Sequence, residues 1–301
     1  PHNDIILDPE NRVNNLLIKS GINTLKGPLF LTGPTYLWLA FTVFLPLSAM
    51  FFFSFLNDAP FGNKEVSFSL ENYHAIWNKQ FYQLLLLKSF RLGIEVTILC
   101  FVIGFPCALI LAKNISGHWR EAIFVLIILP FWSNALVRIF SWTMVLRGNG
   151  IIEMMLNWIF PGYGNFSFMF TYQAILIGLV HSYLPYMILT CYVSIQAIDD
   201  SILEAARVLG AGRFMILFKI TIPLSLPGIT AGSVLIFIPV VGSFMEPRIL
   251  GGREGTFIGT IIEDQFTRVF NWPLGAALSF LMLFIILMII ILINSLSKRL
   301  R

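Results

Sequence analysis

Along most of this chain apolar residues neither alternate nor recur every third or fourth position; they run together in six blocks. The blocks are Tyr36–Leu56, Leu92–Ala112, Ala122–Val145, Gln173–Ile195, Pro227–Met245 and Ala276–Leu296. About 20 apolar residues wound as a helix cross the ~30 Å hydrocarbon layer. The pattern therefore predicts an all-α integral membrane protein with six transmembrane helices. Glycine and proline inside the blocks fit, since both are commoner in membrane helices than in soluble ones. The fifth block carries Gly228-x-x-x-Gly232 with Ala231 and Ser233, a small-residue face on which another helix can pack closely.

Composition agrees. Hydrophobic residues make up 57% and charged residues 12%, against roughly half and about a quarter in soluble domains. Cys100, Cys107 and Cys191 all fall inside apolar runs, and the four histidines are scattered, which excludes a disulfide framework and a metal site of the usual spacing. The net charge of +4 is modest and gives no footprint for nucleic acid.

Charge does bear on orientation. Arg12, Lys19, Lys26, Lys113, Arg120, Arg207, Arg213, Lys219, Lys298, Arg299 and Arg301 fall on one side of the six blocks, and eight basic residues, Lys88 and Arg91 among them, on the other. The positive-inside rule places both termini and the loop around Glu204 in the cytoplasm. Residues 1–35 are expected to be a cytoplasmic leader to a membrane domain over residues 36–301, because the first apolar block is too long for a cleaved signal. Within the leader, Val13, Leu16, Leu17 and Leu25 recur across Arg12–Leu25 as in a helix lying on the membrane surface, or in a partly ordered tail.

One polar interruption, residues 197–226, differs from the other loops. Ser201-Ile-Leu-Glu204 has the form of a capping box, with Ser201 capping a helix start and Glu204 reaching back. Asp199 and Asp200 add negative charge where the helix dipole favours it. Gly210 and Gly212 offer positive-φ turn positions, a second short helix is expected over Phe214–Ile220, and Pro223 should end it. Pro227 falls in the first turn of the next span. Leu203, Val208, Leu209, Phe214 and Leu217 are the expected internal contacts of this hairpin, which is packed like a docking surface.

Glu204-Ala205-Ala206, then Gly210, then Ile220-Thr-Ile-Pro223 resembles the EAA loop of ABC importer permeases, whose pattern ends Ile-x-Leu-Pro, so Ile222 departs conservatively. The resemblance implies the type I importer permease architecture, with this loop as the coupling helix that docks on a cytoplasmic ATPase through Ser201, Glu204, Ala205, Ala206, Gly210, Ile220 and Pro223. The chain has no GxxxxGK[ST] phosphate loop. ATP and magnesium would thus sit on two copies of that ATPase, with no cofactor on this chain and no catalysis by it. Pro130-Phe-Trp-Ser-Asn-Ala-Leu-Val-Arg138, Gly178-Leu-Val-x-x-Tyr-Leu-Pro185, Leu250-Gly-Gly252 and Asn271-Trp-Pro273 resemble the permeases of spermidine/putrescine importers, most closely the first of the pair. That resemblance implies a bacterial inner-membrane heterodimer with a paralogous permease, fed by an extracytoplasmic binding protein.

Charged residues inside spans mark candidate pathways, because each costs about 2.5–3.5 kcal/mol at the bilayer centre. Glu95, Arg138 and Glu246 qualify. Arg91 stands one turn before Glu95, and Asn134 and Arg138 share one face of the third span, which is either a pathway or a bridge between helices. Trp132, Tyr183 and Tyr186 could cradle a cation or simply line the interface. Phe257, Ile258, Ile261, Ile262, Phe266 and Val269 recur at helical spacing opposite Glu263, Asp264 and Arg268, a segment expected at the outer mouth. Polyamine permeases of this kind usually carry an acid where this chain has Arg248, and an arginine there would repel a polycation. The substrate therefore stays open between a polyamine and an amino-acid derivative or another small organic solute. An ATP-independent secondary transporter would carry charged or broken spans near the midplane, and a membrane enzyme would need a nucleophile or metal cluster that GxSxG or HExxH would signal.

Overall fold

The computed structural model describes residues 26–58, 66–160 and 167–299. The surface helix expected over Arg12–Leu25 lies outside the described residues. The chain divides into two compact units, residues 1–53 and 54–301. The described residues of the first belong to helix α1 (Lys26–Ser54), apolar all round, with Pro34 and Pro46 inside it.

The second unit is built on α3 (Gln80–Lys113), α7 (Tyr172–Gln196) and α11 (Leu226–Val241), which share one core. Leu92, Val96, Cys100 and Leu111 of α3 meet Ile175, Leu179, Met187 and Ile195 of α7 and Ile236 and Val240 of α11. The expected small-residue face is used here. A β-carbon at Gly228 would stand 2.4 Å from the Thr190 carbonyl oxygen, and one at Gly232 would stand 2.4 Å from Thr190 Oγ1. The absent side chains let α11 lie against α7.

Among the described residues four helices are long and apolar enough to cross a membrane, and two bent pairs bring the number to six if each pair is one span. The 34 residues of α3, at 1.5 Å each, outrun the bilayer and start 12 residues before the expected Leu92. The short helix α2 (Glu71–Asn78) packs against this overhang, where Ile76, Tyr82, Leu85, Ile258, Ala277 and Leu278 form a second core.

The third expected span is not one helix. α4 (His118–Ile128) passes into a 3₁₀ turn, Leu129–Trp132, and the chain then bends by 98° into the stretch Ala135–Ile159, which α5 (Ala135–Leu146) opens. Pro130 has no N–H to continue the ladder. Asn134 then caps the new helix, accepting from the Leu136 N–H at 2.8 Å. Asn134 is thus the start of α5 and not a mid-span residue. α6 (Ile151–Ile159) follows a turn in which Glu153 accepts from the Asn149 N–H.

The fifth block also ends early: α11 stops at Val241, and Met245 opens the separate helix α12 (Met245–Leu250). The amphipathic segment forms α13 (Ile258–Thr267), with Phe257 and Ile258 buried, and α14 (Trp272–Arg299) closes the fold. Between α7 and α11 lie α8 (Asp200–Val208), α9 (Arg213–Ile216) and α10 (Ile222–Leu224).

Candidate functional site

The hairpin between α7 and α11 forms, with different caps from those expected. Asp199, not Ser201, caps α8, and its carboxylate accepts from the Ser201 N–H at 2.9 Å. A charged acceptor beside the positive end of the helix dipole outcompetes a hydroxyl two positions later. Ser201 therefore lies inside the helix, and Glu204 is exposed with no reach back to it. The hydrogen bonds from Ser201 hold the Asp199 carboxyl below its ordinary range.

The other end of α8 is a Schellman turn. Gly210 takes φ +84° and its N–H donates to the Arg207 carbonyl, while Ala211 N–H donates to Ala206 O. Gly212 departs from expectation: at φ −71° it caps α9 in extended conformation. Nor does Pro223 end the second helix. Leu217–Thr221 winds as a π-helix, and the chain continues through Pro223 to Leu224 before a 66° bend at Ser225. A wide turn placed just before a proline makes room for its ring.

The faces are also sorted differently. Leu203 is buried with Ile198, Ala206 and Ile216, and Ala211 and Ile220 pack on them. Val208, Leu209 and Phe214 are 88%, 86% and 78% exposed, so these three expected internal contacts form the outside of the hairpin. Positions 203 and 206 share the inner face at helical spacing, which turns 208 and 209 outward. Lys113 at the end of α3 fixes the base of the hairpin, donating to Ile198 O and Asp200 Oδ1, each at 2.7 Å.

The candidate pathway residues fall into two groups. Arg248 of α12 sits between two acids of α13, with Nη2 2.7 Å from Glu263 Oε2 and 2.8 Å from Asp264 Oδ1. The Asp264 contact is a hydrogen bond, and Arg268 adds a second cation at 3.2 Å. Glu263 Oε2 makes a close ion pair whose angle lies outside hydrogen-bond geometry. Arg248 is thus the counter-ion of the acidic pair, where the sequence suggested a free charge at the mouth.

Arg138 of α5, Tyr183 of α7 and Glu246 of α12 are carried by elements that pack on one another. Arg138 Nη1 donates to the Pro130 carbonyl at 2.8 Å, while its Nε is buried without a partner. Tyr183 and Tyr186 are 6.0 Å apart, and Phe131 lies 4.6 Å from Tyr186. Glu246 accepts from Ser243 Oγ at 2.6 Å. Trp132 stands apart, 86% exposed, and Asn134 is occupied with its cap.

Sequence reasoning found the Arg91–Glu95 pair, present at 2.7 Å, but missed Tyr172, whose hydroxyl donates to Glu95 Oε2 from 77 residues away. It also missed Lys88, which donates to Glu254 O at 2.8 Å and lies over the Phe257 ring at 4.5 Å. No local spacing announces either contact.

The helical unit thus combines two bent helix pairs of membrane-spanning composition with a capped hairpin between α7 and α11. Residues 104–301 match the family of binding-protein-dependent transport system inner membrane components, and the chain belongs to that family. It is 37% identical over 244 residues to the spermidine/putrescine transport system permease protein PotB of Escherichia coli (strain K12), covering 80% of this chain and 87% of that protein. PotB of Haemophilus influenzae is 36% identical over 242 residues, covering 80% and 84%. Among solved structures, a bacterial ABC transporter involved in the import of the acidic polysaccharide alginate matches with a TM-score of 0.70 at 17% identity, covering 96% of this chain and 98% of that chain. The MetNI methionine ABC transporter in an inward-facing form matches with 0.55 at 16% identity, covering 74% and 99%. This protein is therefore a multi-pass inner-membrane permease of the ABC importer type.

Proposed function

We propose that the chain crosses the membrane six times with both termini inside, and serves as one permease of an ATP-driven polyamine importer. It pairs with a paralogous permease, receives spermidine or putrescine from an extracytoplasmic binding protein, and takes its power from two cytoplasmic ATPase subunits. The permease itself is not catalytic and holds no cofactor. The observation that carries this is the hairpin. It is fixed from within by Leu203, Ala206 and Ile216 and at its base by Lys113, yet it shows Val208, Leu209 and Phe214 to the outside. A small element that spends its own caps on rigidity while exposing large apolar side chains is built to meet another protein. The polyamine assignment rests on the likeness to the PotB proteins, across most of both chains. The transport path is proposed to run past Arg138, Tyr183 and Glu246.

The test is uptake of labelled spermidine and putrescine by vesicles containing the assembled transporter, with and without ATP. Gly210→Pro cannot adopt φ +84° and loses the N–H that closes the Schellman turn. It is expected to insert normally yet lose ATP-driven uptake, as is Glu204→Lys, which reverses a charge on the exposed face. Wild-type uptake by both variants at matched protein levels would refute the coupling role.

A second substrate, an amino-acid derivative, is favoured by one observation: α5, which carries the guanidinium of Arg138, packs on α12, which carries the carboxylate of Glu246, so charges of both signs stand on neighbouring elements. Competition between labelled spermidine and zwitterionic amino acids separates the two.

A further inference from the structure

A cavity of about 720 Å³ lies between the end of α3 and the hairpin, bounded by Lys113 and Asn114 on one side and by α8, α9 and the π-wound turn on the other. Three cations line it, Lys113, Arg207 and Arg213, and no acidic residue does. Like charges gathered in one cavity repel, the more so beside apolar walls of low dielectric. The rest of the protein answers them only in part. Lys113 has spent two of its three donors, on Ile198 O and Asp200 Oδ1. Arg207 and Arg213 make neither an ion pair nor a side-chain hydrogen bond among the described residues, and Glu204, one turn before Arg207, does not pair with it. Both arginines are exposed, so their guanidinium groups can be reached from outside.

The place of the cavity narrows the choice of anion. Lys113 is the last residue of one stretch long and apolar enough to cross a membrane, and Arg213 is the first residue of the bent pair that continues through α11. These cations therefore stand where spans leave the hydrocarbon, the level at which basic pockets meet lipid headgroups. Beside them the wall is apolar, formed by Leu109, Leu203, Ile216 and Leu217. A small inorganic anion would leave that wall wet. A phospholipid covers it with its glycerol and first methylenes while its phosphate meets the arginines, whose planar forks match two phosphate oxygens at once. A choline headgroup would bring a further cation to the site, which favours a headgroup of net negative charge.

We propose that this cavity binds the phosphate of an anionic phospholipid, held by Arg207 of α8, Arg213 of α9 and the third donor of Lys113. The headgroup touches α3, α8 and α9 at once and so braces the hairpin against the span. The site rests on the chain being a membrane permease and not on the cargo it carries.

The experiment uses the complete transporter, ATPase included, in phosphatidylcholine nanodiscs that contain phosphatidylglycerol with a diazirine on its headgroup. Irradiation is followed by peptide mapping in a mass spectrometer. Label is expected within residues 109–114 and 203–221, the chain segments around the cavity, and little is expected there from a phosphatidylcholine probe with the same diazirine. Arg207→Gln combined with Arg213→Gln should cut the labelling by roughly tenfold or more, the loss of two charge-assisted contacts. Arg207→Lys combined with Arg213→Lys should keep a larger share. Amide exchange in α8 and α9 should be slower with phosphatidylglycerol than in phosphatidylcholine alone.

Equal labelling by the two probes, or undiminished labelling after both arginines are replaced by Gln, would overturn the site. Displacement of the label by millimolar inorganic phosphate would overturn the lipid as occupant and assign the cavity to a soluble anion. Label that appears only once the ATPase is stripped away would also overturn it, by showing that the partner protein fills the cavity. If the Arg207→Gln, Arg213→Gln protein does not assemble, the wild-type protein decides: its labelling should fall as salt is raised, and labelling indifferent to salt would overturn the site. Exchange in α8 and α9 that ignores phosphatidylglycerol would overturn the brace. Specific labelling of a transporter that takes up neither polyamine nor amino acid would sustain the lipid site while the transport reading falls.

Discussion

Gly228→Ala adds one methyl group to the contact between α11 and α7, and the structure sets the cost. The new β-carbon would lie 2.3 Å from Ser194 Oγ, 2.4 Å from the Thr190 carbonyl oxygen and 2.7 Å from Ser194 Cβ. The hydroxyl can rotate away, but the carbonyl and the β-carbon are part of α7 itself. To regain an ordinary contact the helices must part by about 1 Å, and carbon atoms in contact sit roughly 3.5–4.0 Å apart. Overpacking of this kind costs about 1–3 kcal/mol, offset by up to ~1 kcal/mol because alanine is the better helix former. The net expectation is a loss of about 1–2 kcal/mol. Gly232→Ala is the internal control. Its β-carbon meets Thr190 Oγ1 at 2.4 Å and Met187 Sδ at 3.0 Å, both ends of side chains that can move, and reaches Met187 Cα only at 3.5 Å. That variant should stay within about 0.5 kcal/mol of wild type. Thermal unfolding of the purified transporter in nanodiscs, followed by size-exclusion recovery, gives the ranking even where unfolding is irreversible. A Gly228→Ala protein as robust as wild type, or more robust than Gly232→Ala, would refute close backbone packing at this crossing.

Arg248→Gln removes the cation shared by two acids whose side chains are only 23% and 26% exposed, leaving Glu263 without an ion pair among the described residues and Asp264 with Arg268 alone. It should destabilise the fold by about 1–3 kcal/mol, less than a fully buried pair because water reaches part of the site. Adding Glu263→Gln should recover part of the loss in the same unfolding assay. At the hairpin, Asp199→Asn should preserve protection of the Ser201 amide in hydrogen exchange and Asp199→Ala should not. Because Ser201 donors lower the folded pKa of Asp199, its contribution is complete above the ordinary carboxyl value of 3.8 and fades as pH falls through the lower folded value. Protection of α8 should therefore persist at pH 5 and weaken only in strong acid, in roughly the pH range of an acid titration.

Block hydrophobicity made the membrane helices legible because burial in lipid acts on every residue of a span alike. The break in the third block was hidden for the same reason: averaging over Ala122–Val145 sees apolar residues and not the missing N–H of Pro130 or the cap at Asn134. Both signals were in the sequence and needed helix geometry to be heard. The hairpin was recognisable from its spacing, yet its start was assigned to Ser201 because the capping-box pattern outweighed the acid two positions earlier. Arg248 was identified as the odd residue, but repulsion of a cargo was inferred where neutralisation of Glu263 and Asp264 is found. That sign depends on α12 and α13 lying side by side, which no local pattern carries. Tyr172 on Glu95 and Lys88 on Phe257 are likewise products of α3 running its full 34 residues, well past the expected start.

The π-wound segment Leu217–Thr221 has a mechanical meaning. Thr221, buried, returns its hydroxyl to the carbonyl of Ile216, five residues back, within a turn that holds one residue more than its neighbours. Such a turn is a stored length of chain. Rewinding it to ordinary α geometry would shift the register of the hairpin against α11 by one residue, a rotation of about 100° with ~1.5 Å of travel. A load at Val208, Leu209 and Phe214 would reach this turn before the Gly228 and Gly232 crossing, where α11 lies against α7.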